Sequence, residues 1–167
     1  VIENVRTAGG NVGFSMTDGA IQGFNLGRTL CAAYNATQRV AGPPERPKQT
    51  EYRAIQGTAS VAAGVATSRD LLARTSFMDI TGQGTLGLVE QRLDYDLDAK
   101  LTGKIEIPGC ETMDQFIGDA LPFDIRGTVT DPTITPDFSK LIQRRVREEV
   151  KERLQDRLQD RLRDILR

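Results

Sequence analysis

The 167-residue chain contains no histidine and no tryptophan, and aromatic residues make up only 5% of it. Without histidine it lacks the commonest general base and the commonest metal ligand of proteins. With so few aromatic residues, the core must depend on small aliphatic side chains. No stretch approaches the roughly 18 consecutive apolar residues of a membrane-spanning helix. Because the chain begins at Val1 without methionine, we expect it to be an excised piece of a longer protein.

The net charge is −1, so composition gives no general reason to expect a nucleic-acid partner. The glycines do not form a phosphate-binding loop, because Gly9, Gly10 and Gly13 precede a strand pattern and not a helix. We therefore expect no cofactor. The length fits one compact unit that buries most of its apolar surface.

No group of residues indicates catalysis. Ser68 has no histidine to activate it, and Ser139-Lys140 belongs to the start of a helix. Asp94, Asp96 and Asp98 alternate along a strand pattern, but they lack the glycine and the terminal glutamate of a calcium loop. We interpret these aspartates as a solvated sheet face, and we expect neither an enzyme nor a metal site.

The stretch from Gly10 to Tyr34 is the most informative part of the chain. Val12, Phe14 and Met16 alternate with small polar residues, which predicts a half-buried strand. Asp18-Gly19 predicts a turn into a second short strand. Asn25 is a suitable N-cap for a helix that we predict over residues 25–40.

Residues 50–130 predict an antiparallel meander. The pattern of residues 92–104 is the clearest strand, with Leu93, Tyr95 and Leu97 on an apolar face and aspartates on the other. Ala63-Gly64 and Glu90-Gln91 predict turns, Gly57 a bulge, and residues 111–118 a short helix. The predicted fold class is α+β: a twisted antiparallel sheet, open like a groove or partly closed, with one covering helix.

Residues 137–167 predict one long helix, separate from the β-rich module of residues 1–136. Asp137 is a candidate N-cap, and no glycine or proline follows it. The apolar residues of this helix are spaced by four, so their stripe winds around it and does not suit a coiled coil, which needs a spacing of about 3.5. Its basic and acidic residues are mixed, as on a solvated face. We expect it to dock on the sheet or on a partner, with contact to a membrane interface as the alternative. The stripe consists of Ile142, Val146, Val150, Leu154, Leu158, Leu162 and Leu166.

The two cysteines, Cys31 and Cys110, have neither a zinc spacing nor a C-x-x-C spacing. On the residues alone they are equally well interpreted as two buried thiols or as one disulfide. If the Cα atoms lie beyond about 7 Å, a disulfide is ruled out.

Four blocks in order resemble the C-terminal region of the AsmA family of bacterial envelope proteins. The first is D-G-A-I-Q-G-F-N-L from Asp18, and the second is G-T-A-S-V-A-A-G-V-A from Gly57. The third is T-G-Q-G-T-L-G-L from Thr81, followed by L-D-Y-D-L, and the fourth is L-P-F-D-I-R-G-T-V-T-D-P from Leu121. The sequence departs from the family pattern at Ala63, where asparagine is common, and at Gly87, where aspartate is common.

The resemblance implies a periplasmic module near the end of a protein anchored in the bacterial inner membrane by a segment outside this chain. The family is related to TamB and to bridge-like lipid transfer proteins, so the implied function is phospholipid transport between inner and outer membranes, or envelope assembly and homeostasis. The periplasm also favours a Cys31–Cys110 disulfide. The implied lipid-groove residues are Met78, Ile80, Leu86, Leu93, Tyr95, Leu97, Phe123 and Ile125.

A second hypothesis is a structural or assembly module that binds a periplasmic or outer-membrane protein. It predicts a closed core and a docking role for the final helix. The two hypotheses differ in whether the apolar face of the sheet is open or sealed.

Overall fold

The protein is built around one seven-stranded antiparallel sheet in which each strand pairs with the next along the chain. The structure, a computed structural model, describes residues 9–166. A 3-10 helix spans Glu111–Phe116, and two α-helices, α1 (Leu26–Thr37) and α2 (Phe138–Ile165), complete the fold. The predicted fold class is confirmed: an antiparallel sheet, a helix after the first strand and a long C-terminal amphipathic helix. The strands are β1 (Gly10–Gln22), β2 (Gln49–Ala62), β3 (Val65–Arg74), β4 (Met78–Gly87), β5 (Arg92–Leu101), β6 (Ala120–Thr128) and β7 (Pro132–Pro136).

The first strand is continuous, and the turn predicted at Asp18-Gly19 is wrong. β1 pairs with β2 along its whole length, from Gly10 opposite Val61 to Gln22 opposite Gln49. Asp18 has a positive φ of 51°, a conformation that aspartate tolerates better than most residues. Asp18 and Gly19 therefore form an irregularity within the strand and not a turn, because β1 pairs with β2 on both sides of them.

The helix α1 begins where the sequence predicts and ends a turn earlier. The Asn25 side chain accepts a hydrogen bond of 2.9 Å from the backbone N–H of Arg28, which confirms the N-cap. The helix ends at Thr37, so Val40 lies outside it and is exposed. Leu26, Leu30 and Tyr34 are buried on one side, as expected for a helix that covers a sheet.

The β2–β3 pairing is irregular between Gln56 and Ser60, where the sequence predicts a bulge at Gly57, but the extra residue lies in β3. Between Ser68 and Leu71, β3 has one residue more than either neighbouring strand. Asp70 fills the gap with its side chain, which accepts hydrogen bonds of 2.8 Å from both the N–H and the hydroxyl of Thr58. These bonds lower the pKa of the Asp70 carboxyl below its ordinary value.

The last strand, β7, is one that the sequence pattern does not reveal. It begins with Pro132 and ends with Pro136, and prolines at this spacing are more typical of turns and strand ends. β7 pairs only with β6, so it is an edge strand, where proline is tolerated because one row of N–H groups has no strand to bond.

The glycines of β4 allow β5 to pack closely against it. A Cβ atom on Gly84 would collide with the backbone oxygen of Asp94 and lie 2.5 Å from the ring of Tyr95. A Cβ atom on Gly82 would likewise collide with the backbone oxygen of Asp96 and lie 2.5 Å from the side chain of Leu97. Since Tyr95 and Leu97 lie over these positions, the glycines are needed by the packing of the apolar face.

Gly84→Ala is therefore expected to lower the free energy of unfolding by about 1–3 kcal/mol, the usual cost of overpacking. Gly13→Ala in β1 is the matched control, because a Cβ atom added at Gly13 would meet no other atom within 4 Å and the φ of Gly13 is not positive. We expect that control to lie within about 0.5 kcal/mol of the parent. Urea unfolding curves of the two variants measure the difference. Equal stabilities would contradict the packing role of Gly84.

Candidate functional site: the apolar face of the sheet

One face of the sheet is apolar across its whole width. Residues directly opposite each other in antiparallel strands point to the same face. The register therefore defines a row that crosses six strands on this face, which we call the apolar face. The row is Met16, Ile55, Ala73, Ile80, Ala99 and Leu121.

Among residues 9–166, helices cover the apolar face at one end only. The side chains of α1, the 3-10 helix and the start of α2 pack there on β4, β5 and β6. Phe116, Tyr34 and Phe138 form an aromatic cluster, in which the Phe116 ring centroid lies 5.0 Å from that of Tyr34 and 6.3 Å from that of Phe138. This end is a sealed hydrophobic core, in which Met78, Leu101, Met113 and Leu121 are fully buried.

The candidate groove residues divide between the sealed end and the open end. Met78, Ile80, Leu97 and Phe123 are buried in the covered core. Leu86, Leu93, Tyr95 and Ile125 lie on the same face but remain partly exposed. The register places Leu86 opposite Leu93 and Tyr95 opposite Ile125, so these four adjoin one another. Partial burial raises the pKa of the Tyr95 hydroxyl above its ordinary value.

The exposed part of the apolar face continues across β1 and β2, where the sequence predicts no groove residues, and there it includes Met16 from the same row as the covered Ile80 and Leu121. Val12 and Met16 are 49% and 47% exposed on the apolar face, and Phe14 lies between them. Opposite them, Ile55 and Ala59 are nearly buried. The alternation in β1 is visible in the sequence, but only the register shows that these side chains share a face with Leu86 and Tyr95.

A disulfide and a buried asparagine hold the helix α1 in place over the apolar face. Cys31 and Cys110 are bonded, with Cα atoms 5.5 Å apart, so the disulfide interpretation is confirmed. Beside them, Asn35 donates hydrogen bonds to the carbonyl oxygens of Gly109 (2.8 Å) and Ala41 (3.0 Å). It also accepts one of 2.7 Å from the hydroxyl of Thr112. The helix α1 is thereby fixed to the loop after β5. Such disulfides are typical of oxidising, extracytoplasmic compartments.

The opposite face of the sheet carries ion pairs. Arg126 contacts Asp94 at 3.1 Å and Asp96 at 2.6 Å, and Arg144 contacts Asp98 at 2.8 Å. The hydrogen bond from Arg126 lowers the pKa of the Asp96 carboxyl below its ordinary value. The three aspartates therefore serve basic partners in the protein, and within residues 9–166 no group of acidic or cysteine side chains is arranged to hold a metal ion.

The long helix α2 docks only at its start. Asp137 caps it by accepting a hydrogen bond of 2.9 Å from the N–H of Lys140, as predicted. Phe138 and Leu141 are buried, and the guanidinium of Arg145 lies 5.5 Å from the Phe116 ring centroid. From Val146 to Leu166 every side chain is exposed. The structure shows docking on the sheet as far as Arg145; beyond it the helix lies away from the described part of the chain, and docking there on a partner stays a prediction.

The fold and site define an open antiparallel sheet whose apolar face is half covered. Comparisons with protein-family models, with curated proteins and with solved structures find no match for this chain. In the part of the chain that the structure describes, neither α1 nor α2 has the length and apolar character needed to cross a bilayer.

Proposed function

We propose that this chain is the terminal module of a periplasmic lipid-conducting groove and that it contributes to phospholipid transport between membranes. The observation that supports this most is the apolar face, which is sealed at one end and open at the other. Acyl chains are apolar and need a surface of this kind to leave a bilayer. The resemblance to the AsmA family, carried by the four sequence blocks, gives the same function.

The two edges of the sheet support a terminal position. β7 is 5 residues long and contains two prolines, features that stop a sheet from growing. β1 is 13 residues long, contains no proline and has Asp18 as its one charged residue, so it has fewer features than β7 that oppose pairing with a further strand. In the proposed longer protein, the sheet and its groove continue beyond β1 and end at β7.

Lipid bound on the open face should be lost when charges are placed there. The protein is purified from periplasm without detergent, and native mass spectrometry is used to detect co-purified phospholipid. In Val12→Glu/Met16→Glu we expect that lipid to be absent, because two carboxylates on the apolar face would have to be desolvated by acyl chains. Both positions are about half exposed, so the fold itself should tolerate the change.

The matched control is Ser15→Glu/Thr17→Glu, which adds the same charges to the other face of the same strand. This control should keep its lipid. Lipid-free wild-type protein, or equal loss in both variants, would contradict the proposal. The alternative hypothesis of a protein-binding module predicts a different result: removing residues 140–167 would abolish capture of a periplasmic or outer-membrane partner.

A further inference from the structure

The exposed part of α2 has four distinct rows of side chains. In a helix, residues four apart are surface neighbours, so each row follows a spacing of four. The apolar row is Val146, Val150, Leu154, Leu158 and Leu162. The row directly opposite is entirely acidic: Glu148, Glu152, Asp156, Asp160 and Asp164.

The two rows that flank the apolar row are mainly basic. The residues that follow each apolar position include Arg147, Lys151 and Arg163, with glutamines between them. Those that precede it include Arg153, Arg157 and Arg161, with Glu149 as the exception. The interpretation of this helix as a face of mixed charges is therefore replaced: overall charge is balanced, but most cations lie beside the apolar row and the acidic row lies behind it.

The rows wind around the helix by about 40° at each step, and the segregation survives this winding. Within about 90° of Leu154, at roughly 100° per residue, lie the other apolar residues together with Arg147, Lys151, Arg157 and Arg161. Of the acidic residues, only Asp164 reaches the margin of this half. One side of the helix is thus apolar and cationic, and the other side is mainly acidic, with Arg153 just outside the apolar half and Arg163 opposite Leu154.

We propose that this side of α2, from Val146 to Leu162, binds the surface of an anionic phospholipid bilayer. Leucine and valine would enter the boundary between headgroups and acyl chains, as in interfacial amphipathic helices. Arginine and lysine have long apolar stems that can lie along the same boundary while their charged ends reach lipid phosphates. The acidic row faces water. A second copy of the helix is a poorer partner, because a spacing of four winds too steeply for a coiled-coil seam.

Like charges also adjoin one another within the cationic row. Arg153, Arg157 and Arg161 are successive i, i+4 neighbours, a like-charge arrangement that destabilises a helix. Between Val146 and Leu166 the described side chains make no ion pair. Lipid phosphates on the cationic side would relieve this repulsion.

The test is co-sedimentation of the full chain with vesicles. Vesicles of phosphatidylglycerol and phosphatidylcholine in equal parts are compared with vesicles of phosphatidylcholine alone. We expect binding to the anionic vesicles and little to the neutral ones, with affinity falling as salt is raised. Leu154→Ser/Leu158→Ser should weaken binding roughly a hundredfold, because two apolar side chains no longer enter the bilayer.

A charge-swapped variant tests whether binding depends on where the charges lie, because it leaves the number of charges unchanged. Asp156→Arg/Arg157→Asp/Asp160→Arg/Arg161→Asp keeps the net charge and the apolar row but exchanges cations and acids. At about 1 kcal/mol for each cation near an anionic surface, affinity should fall at least thirtyfold. Gln155→Ser/Gln159→Ser is the matched control for the leucine pair and should bind as the parent does.

Three results would overturn the proposal: no binding to anionic vesicles, equal binding to neutral vesicles, or unchanged binding of the charge-swapped variant. Self-association that depends on Leu154 and Leu158, without vesicle binding, would assign the surface to a second copy. The proposal does not depend on the lipid groove. Removing residues 146–167 should abolish vesicle binding yet leave any lipid on the open sheet face, so the two proposals can fail separately.

Discussion

Replacing Cys31 and Cys110 together by alanine is expected to lower the free energy of unfolding by about 4 kcal/mol. The two residues are 79 positions apart, and closing a loop of that length restricts the unfolded chain strongly. For a chain of this size the melting temperature should fall by about 10 °C. Circular dichroism melts of parent and variant measure the change.

Reductant provides the control for that experiment. It should lower the melting temperature of the parent by a similar amount and leave the alanine variant unchanged. Loss of the disulfide should also speed hydrogen exchange in α1 more than in β4 and β5, because α1 is fixed to the loop by Cys31 and Asn35. A parent whose thiols are shown to be reduced but whose melting is unchanged would contradict the stabilising role.

Phe116→Ala is expected to cost about 3–5 kcal/mol of stability, which is typical for deleting a buried phenylalanine. The Phe116 side chain is 2% exposed and contacts Tyr34 from the cover and Phe138 from α2. The guanidinium of Arg145 also lies over the Phe116 ring, 5.5 Å from its centroid. Removal of the Phe116 ring should therefore loosen the 3-10 helix and the docked start of α2 together. Chemical denaturation measures the cost.

The matched control for Phe116→Ala is Val146→Ala, one residue beyond Arg145 and 54% exposed. It should change stability by no more than about 0.5 kcal/mol. Phe116→Leu should recover part of the loss, because leucine fills more of the cavity than alanine. If Phe116→Ala and Val146→Ala were equally stable, the aromatic cluster would not be the anchor of α2.

Local signals in the sequence were reliable where they act over a few residues. The caps at Asn25 and Asp137 were predicted because a side-chain oxygen satisfies nearby backbone N–H groups whatever the rest of the fold does. The alternation of apolar and polar residues in β5 is also confirmed, because a strand with one buried and one solvated face fits any sheet that is covered on one side. The turn at Asp18-Gly19 failed, because pairing with the whole of β2 outweighs a local turn preference.

The candidate site could be predicted only in part. Apolar alternation correctly places Leu86, Leu93, Tyr95 and Ile125 on one face of the sheet. It cannot tell them from Met78 and Phe123, which the helices cover, because coverage depends on where α1 and the 3-10 helix pack. The prolines of β7 hid an edge strand, since proline is excluded only from strands that pair on both sides.

By itself the sequence determined the class of fold, the positions of both caps and the segregated rows of α2, because each follows from spacing along the chain. Tertiary structure alone decided which cysteine interpretation holds, where the apolar face is sealed and that α2 leaves the sheet after Arg145. These features join residues far apart in the chain, and no local pattern encodes such a distance. The Cys31–Cys110 bond, which fastens the cover to the loop after β5, is the clearest case.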